Sequence, residues 1–133
     1  MYETLTALNK TQGVSLASKV EVAKSLLQRM RGLIGRTAPE FSPGCGFWIV
    51  PCNGIHTFAM KFPIDAVYLD SRCRVLRLFT ELPPFRIAPL SLRVRSVLEL
   101  PMGTLARSHT TVGDVIEFQT VAKLGADGIQ PQE

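Results

Sequence analysis

Residues 64–79 read IDAVYLDSRCRVLRLF, and this stretch decides the fold class of the chain. Residues 64–69 are apolar apart from Asp65, and residues 74–79 are rich in valine, leucine and phenylalanine. Each run has the length and composition of a β-strand. The link between them begins with Asp70 and Ser71, which are common in turns. So short a link predicts a β-hairpin, which makes antiparallel sheet the basis of the fold.

Weaker patterns on both sides of this hairpin extend the prediction. Strands are expected at residues 14–20, 47–50, 93–100 and 115–121, and one helical turn at residues 104–107. From Glu21 the apolar period changes to three or four residues, which predicts a helix that ends at Gly32 and Gly35. Its apolar face would comprise Val20, Ala23, Leu27, Met30 and Ile34. We therefore predict an α+β fold: mostly antiparallel β, with a small barrel-like sheet and one packed α-helix.

The length of 133 residues predicts one domain, because two separate cores in so short a chain would each be marginal. We expect the domain over residues 14–122, after a loose segment at 1–13 and before a flexible tail at 123–133. No apolar run approaches the ~20 residues of a spanning helix, and the first residues lack the pattern of a signal peptide. We therefore expect a soluble, cytoplasmic protein with no membrane partner.

Positive charge is concentrated in two blocks of the sequence. Residues 19–36 carry five basic residues and one acidic residue, and residues 71–107 carry seven arginines and two glutamates. A solvated charged face is the ordinary explanation, and a contact for an anionic ligand or an acidic protein is the alternative. Nucleic acid is disfavoured, because a net charge of +4 is modest and few aromatic residues remain for base stacking. The anion-contact candidates are Arg29, Arg31, Arg36, Arg93 and Arg95.

The segment from Cys52 to Asp70 has the highest density of reactive side chains. His56 is suited to proton transfer near neutral pH, and a carboxylate could orient it. Asp65 is the candidate carboxylate, because it interrupts an apolar strand in which an unpaired charge would be costly. The alternative is structural, with both side chains bonded to backbone around Pro63. The ligand-binding candidates are Cys52, Asn53, His56, Thr57, Met60, Lys61 and Asp65.

Three cysteines raise the question of a metal site. Cys45, Cys52 and His56 have the spacing Cys-x6-Cys-x3-His, and Cys73 is a candidate fourth ligand. Zinc binds these residue types, but structural zinc sites usually pair cysteines two to four positions apart. Cysteines also fill cores as small hydrophobic residues. We therefore predict no metal and no other cofactor.

Four blocks of the sequence stand out together. They are VEVAKSLLQRMRGLIGR at residues 20–36, PGCGFWIV at 43–50, HTFAMKFPIDAVYLD at 56–70 and VLELPMGTLARSHTTVGDVIEF at 97–118. In this order they resemble a bacterial and archaeal family of uncharacterised proteins, the domain of unknown function 192 family. The resemblance implies a compact, mostly β, barrel-like domain with one helix, and it implies no established activity. Ile34 and Cys45 stand at positions where this sequence departs from the family pattern.

These observations favour a small non-catalytic binding or accessory domain. It would recognise a small or anionic ligand, or a protein partner, near residues 52–65. The alternative is a small enzyme that uses His56 and Asp65 as general acid and base. The ligand, the partner and the oligomeric state do not follow from the sequence.

Overall fold

A computed structural model describes residues 3–57 and 60–120 of the chain. A sheet of seven strands organises these residues. Its strands are β1 (Glu3–Asn9), β2 (Val14–Ala23), β3 (Cys45–Ile49), β4 (Ile64–Leu69), β5 (Val75–Leu82), β6 (Ser96–Pro101) and β7 (Ile116–Thr120). Two short helices, α1 (Leu26–Arg31) and α2 (Thr104–Ser108), accompany a 3-10 turn at Ala38–Phe41. The fold is mostly β, and the α+β description fits only roughly because the helices are so short.

The sheet has the strand order β5-β4-β6-β3-β2-β1-β7. β4 and β5 pair in the antiparallel sense, which confirms the predicted hairpin. β2 and β3 are parallel, because the chain between them crosses over through α1 and the 3-10 turn. An isolated bridge between Arg74 and Val115 joins the two edges of the sheet at one end. The sheet is therefore curled into a half-barrel.

Both faces of the central strands are buried, and each face belongs to a different core. All seven strands and α2 contribute to one cluster, the seven-strand core, which includes Val67, Leu98 and Leu100. The other cluster, the loop-covered core, includes Ala66, Tyr68 and Val97, together with residues from the connections between strands. Because successive side chains of a strand point to opposite faces, neighbours in sequence alternate between these two cores.

The prediction of a loose N-terminus is wrong for residues 3–9. This segment forms β1, which pairs with β2 on one side and with β7 on the other. Its alternate residues Leu5, Ala7 and Asn9 are buried, so the strand contributes to the core instead of fraying. The pattern is only seven residues long, and four of those are threonine, alanine or glutamate, which gives a weak apolar signal.

The predicted helix from Glu21 to Ile34 is much shorter than expected. β2 continues to Ala23, because its residues from Lys19 onward pair with β3 and because Val20, Val22 and Ala23 are buried. Helix α1 begins only after Ser25, whose hydroxyl accepts a hydrogen bond from the amide of Gln28 at 3.1 Å. Strand pairing thus overrides the helical spacing of the first turn.

The last turn of the expected helix also differs from the prediction. Gly32 ends α1 with a positive φ of 52°. Met30 and Ile34, expected on the buried face, are 67% and 39% exposed. In the described part of the chain, no helix is long and apolar enough to cross a membrane. The predicted tail at residues 123–133 lies outside the described residues.

Candidate functional site

The sheet separates the two residues that were expected to act together. Asp65 lies on β4 between Ile64 and Ala66, so its side chain points to the opposite face from theirs. Its register partner is Leu100 of β6, a member of the seven-strand core. His56 instead lines a cavity on the side of the loop-covered core. A His56–Asp65 acid–base pair is therefore not assembled in this fold.

Asp65 has a structural role that its hydrogen bonds define. The residue is 1% exposed, and its carboxyl group accepts three backbone N–H bonds. Oδ1 accepts from Glu81 at 2.9 Å, and Oδ2 accepts from Gly103 at 3.1 Å and from Leu105 at 2.9 Å. The side chain thus holds the end of β5 and satisfies amides at the start of α2. This matches the structural alternative considered for Asp65, with other backbone partners than those around Pro63.

A cavity of about 240 Å³ lies between α1, the segment that follows β3, and β6. Its wall combines apolar side chains with a few polar groups. The lining includes Arg29, Met30, Cys52, His56, Met60 and Glu99. The sequence candidates Cys52, Asn53, His56 and Met60 are therefore brought together at one place.

Glu99 is the polar group that sets the chemistry of this cavity. It lies in the middle of the sheet, where its register partners are Phe47 of β3 and Ala66 of β4. Glu99 is 3% exposed, and its Oε1 atom has no hydrogen-bond partner among the described residues. Burial raises the pKa of Glu99 from 4.5 to about 8, because desolvation disfavours the charged form. The carboxyl group is therefore mostly neutral at pH 7.

Arg29 and Cys52 add two further polar groups to the wall. Arg29 donates from one guanidinium nitrogen to the carbonyl of Pro51 at 3.2 Å, while its Nε is buried without a partner in the described residues. The thiol of Cys52 donates to the carbonyl of Gly54 at 3.0 Å. Burial raises the pKa of the Cys52 thiol, so the reactive thiolate is disfavoured at neutral pH.

Two ligand candidates of the 52–65 segment have other places in the fold. Thr57 is fully buried, and its hydroxyl donates to the carbonyl of Pro83 at 2.6 Å and accepts from the amide of Arg86 at 2.9 Å. These two bonds hold the segment that contains Thr57 against residues 83–86. Lys61 is exposed and does not line the cavity.

The metal candidates are not gathered into one site. Cys45 lines a separate hollow beside Glu40 and Phe41, whereas Cys52 and His56 line the Glu99 cavity. Across residues 3–57 and 60–120, the His, Cys, Asp and Glu side chains form no group of three that could hold a metal ion. Cys73 lies in the turn between β4 and β5, with a positive φ of 59°.

The arginine candidates lie at three separate places in the described structure. Arg36 pairs with Glu21, and its guanidinium lies over the ring of Phe47 at 5.6 Å, so it supports the fold. Arg29 is the cavity residue described above. Arg93 and Arg95 are exposed on the connection before β6. The side chain of Arg31 lies outside the described part of the structure.

Glu99 is a site residue that the sequence pattern did not identify as a candidate. The alternation of residues 93–100 predicts that Glu99 shares a face with Arg93 and Arg95, but β6 begins only at Ser96, so both arginines precede the strand. Both arginines are exposed, whereas Glu99 is covered by the connections that build the loop-covered core. The available signal was local: Glu99 stands between Leu98 and Leu100, in a run that is otherwise apolar as far as Pro101.

Comparisons with known proteins agree with this architecture. A UPF0127 protein of Pyrococcus horikoshii is 30% identical over 118 residues, which cover 85% of this chain and 98% of that protein. A UPF0127 protein of Pyrococcus abyssi is 31% identical over 119 residues, with 85% and 97% covered. A crystal structure of a protein of unknown function from Novosphingobium aromaticivorans has a TM-score of 0.72 at 21% identity, covering 86% of this chain and 83% of that one. That likeness concerns the fold.

The family assignment rests on a match that covers most of the domain. Residues 7–118 match the DUF192 family, described as "Uncharacterized ACR". The match begins within β1 and ends within β7, so it includes five whole strands and part of each of these two. The chain therefore belongs to the DUF192 family.

Proposed function

We propose that this protein is a small-molecule-binding domain whose site is the Glu99 cavity. The ligand would combine a small apolar body with an N–H donor head, such as an amide or a primary amine. The observation that carries the proposal is the buried Oε1 atom of Glu99, which has no partner in the described structure and faces a cavity.

The energetic argument starts from the cost of burying a polar atom. A buried oxygen without a hydrogen bond costs about 1–3 kcal/mol, which folding alone does not recover. A ligand that donates a hydrogen bond to Oε1 would remove this cost, and apolar side chains such as Met30 and Met60 would cover its body. The buried Nε of Arg29 could donate to an acceptor on the same head group.

The protonation state of Glu99 narrows the ligand class. Because the pKa is about 8, a neutral carboxyl group meets the ligand at pH 7. An amide can bind this form directly. An amine cation needs the carboxylate, so its binding releases a proton from Glu99.

The experiment is an amide NMR titration with three probes of equal size: butyramide, butylamine and butyrate. We expect butyramide and butylamine to shift the amides of residues 49–56 and of Glu99, whereas butyrate leaves them unchanged. Between pH 6 and pH 8 the affinity for butylamine should rise by up to about tenfold per pH unit, and it should level off above pH 8. The affinity for butyramide should change little over this range below the pKa of Glu99.

Two substitutions separate the role of Glu99 from general effects. Glu99→Leu keeps much of the volume but removes the acceptor, so butyramide should bind at least about tenfold more weakly. Glu99→Gln should keep butyramide binding and lose the pH-dependent butylamine binding. Glu117→Gln, on β7, is the matched control and should bind both probes as the natural chain does. Unchanged shifts in Glu99→Leu, or preferential binding of butyrate at this cavity, would refute the proposal.

The enzyme alternative has less support. It needs His56 and Asp65 within reach of one substrate, and they lie on opposite sides of the sheet. The carboxyl group of Asp65 is also occupied by three backbone amides. A binding role for the cavity requires only groups that already line it.

A further inference from the structure

A second feature stands beside the cavity and is independent of Glu99. Residues 85–95 run along residues 52–57 and are held there by five backbone hydrogen bonds that join the two segments. These bonds are Thr57 N to Arg86 O at 2.8 Å, Phe85 N to Thr57 O at 3.1 Å, Ala88 N to Ile55 O at 2.9 Å, Ser91 N to Asn53 O at 3.0 Å and Cys52 N to Arg95 O at 2.9 Å. We call residues 85–95 the apolar ribbon. Its backbone is fixed at several points along its length.

The apolar ribbon presents large hydrophobic side chains to solvent although its backbone is held in place. Ala88 and Val94 point inward and are buried. The outward side chains are Phe85 (68% exposed), Ile87 (69%), Leu90 (72%) and Leu92 (91%). Four large apolar residues on one short segment exceed the scattered exposure that ordinary surfaces show. Such a set marks a surface that contacts something else.

Positive charge dominates along the ribbon, where Asp70 interacts electrostatically with Arg93 at one end. Arg86, Arg93 and Arg95 are exposed on the ribbon itself, and Lys61 is exposed on the adjoining segment. The sequence has no aspartate or glutamate in residues 82–98, nor in residues 51–64. An occupant of this surface should therefore carry negative charge as well as an apolar layer.

Three occupants fit these features poorly. A second copy of the chain would bring the same arginines against each other. Nucleic acid would neutralise the arginines, but isoleucine and leucine offer no stacking surface to bases. A folded protein binds most tightly where an anchor side chain fills a pocket, and Leu92, at 91% exposure, projects away from its neighbours.

We propose that the apolar ribbon docks on the surface of an anionic lipid bilayer. Phe85, Ile87, Leu90 and Leu92 would insert at the boundary between headgroups and acyl chains, where a protruding side chain needs no preformed pocket. Arg86, Arg93 and Arg95 would contact the lipid phosphates. This is a peripheral contact, which departs from the expectation of no membrane partner and needs no spanning helix.

The test is co-sedimentation of the full chain with sucrose-loaded vesicles. One set contains phosphatidylcholine alone, and the other contains 30 mole per cent phosphatidylglycerol as a chosen anionic probe. We expect binding to the anionic vesicles to exceed binding to the neutral ones, and to weaken at high salt. Ile87→Ser with Leu92→Ser should weaken the anionic binding at least about tenfold. Arg93→Gln with Arg95→Gln should weaken it by about tenfold and reduce its salt dependence.

The matched control uses exposed apolar residues elsewhere on the surface. Met102 and Val112 are 51% and 64% exposed, so Met102→Ser with Val112→Ser removes comparable area without touching the ribbon. This variant should bind vesicles as the natural chain does. If the natural chain binds neither vesicle type, or if the Ile87/Leu92 variant binds as well as the control, the proposal is wrong.

Other occupants would be revealed by the same variants. Self-association in sedimentation velocity, or capture by an acidic peptide, that is lost in the Ile87/Leu92 variant while no vesicle binds would assign the ribbon to a protein contact instead. Butyramide titration of that variant separates this proposal from the proposed function, since the cavity lining retains Glu99 and should bind the probe unchanged.

Discussion

Asp65 and Glu99 are two buried carboxyl groups on neighbouring strands, and they differ in the face of the sheet on which they lie and in their hydrogen-bond partners. On β4 and β6, Asp65 is opposite Leu100 and Glu99 is opposite Ala66, so they are one step apart in register. Asp65 faces the seven-strand core and accepts three backbone N–H bonds. Glu99 faces the other side, where its Oε1 has no partner in the described residues.

The difference teaches how to distinguish a structural acid from a candidate ligand-binding one. Burial alone does not separate them, since the two residues are 1% and 3% exposed. Their hydrogen-bond partners distinguish them. Both carboxyl oxygens of Asp65 accept hydrogen bonds from backbone amides that would otherwise have no partner. Glu99 retains an unused acceptor beside a cavity. The same isosteric change, acid to amide, should therefore have opposite effects on stability at the two positions.

The largest expected effect comes from removing Asp65. Asp65→Ala leaves the amides of Glu81, Gly103 and Leu105 without their acceptor, which should lower the free energy of unfolding by about 5 kcal/mol. Asp65→Asn keeps one acceptor oxygen, so it should lose less and remain folded for comparison. Urea denaturation of both variants measures this difference. Equal stability of Asp65→Ala and the natural chain would show that the three bonds do not stabilise α2 and β5.

The next effect concerns Glu99 and depends on pH. Its pKa is raised in the folded state, so the folded chain holds a proton that the unfolded chain releases above its ordinary pKa of 4.5. The natural protein should therefore lose about 3 kcal/mol of stability between pH 5 and pH 8 from this group. Glu99→Gln cannot release a proton, so its stability relative to the natural chain should rise over this window.

Urea denaturation at pH 5, 6, 7 and 8 measures that prediction, and Glu117→Gln again serves as the control. A stability difference between Glu99→Gln and the natural chain that stays constant from pH 5 to pH 8 would mean that partners in the folded state keep the Glu99 carboxyl group charged. The contrast with Asp65 would then disappear.

A smaller effect concerns the wall of the cavity. Gly54 lies against the apolar ribbon, where an added Cβ would meet the Leu90 side chain at 2.4 Å and the backbone of Leu90 and Pro89 at 3.2 Å. The side chain can move, but the backbone must shift, so Gly54→Ala should cost about 2 kcal/mol. Gly13→Ala is not a suitable control, because φ is +72° there. Gly46→Ala, with its nearest contact at 3.1 Å on a Val20 methyl group, gives a comparison within the sheet.

The outcome at Gly54 sharpens the comparison of the two carboxyl groups. If Gly54→Ala separates residues 52–57 from the apolar ribbon, solvent should reach Glu99 and lower its pKa. The stability of this variant should then depend less on pH than that of the natural chain. A loss of stability with an unchanged pH dependence would show that the cavity does not depend on this contact.

The local sequence pattern was sufficient to predict the secondary structure where a segment has one clear apolar period and a strong turn. The hairpin of residues 64–82 is of this kind, because Asp70 both suits a turn and accepts amide hydrogen bonds within it. Residues 20–34 are the opposite case. Their apolar spacing satisfies a helix, but Val20 and Val22 also suit a strand, and only pairing with β3 decides between the two.

The sequence by itself determined the mostly antiparallel sheet and the family, and it named Cys52, Asn53, His56 and Met60, which line one cavity. The tertiary structure alone decided which carboxyl group belongs to that place. Strand parity puts Asp65 and Glu99 on opposite faces, but parity does not say which face is covered, or by what. Covering depends on contacts between residues far apart in the chain, such as the hydrogen bonds between residues 52–57 and residues 85–95. Contacts of this kind left Glu99 buried beside a cavity and gave Asp65 its three amides.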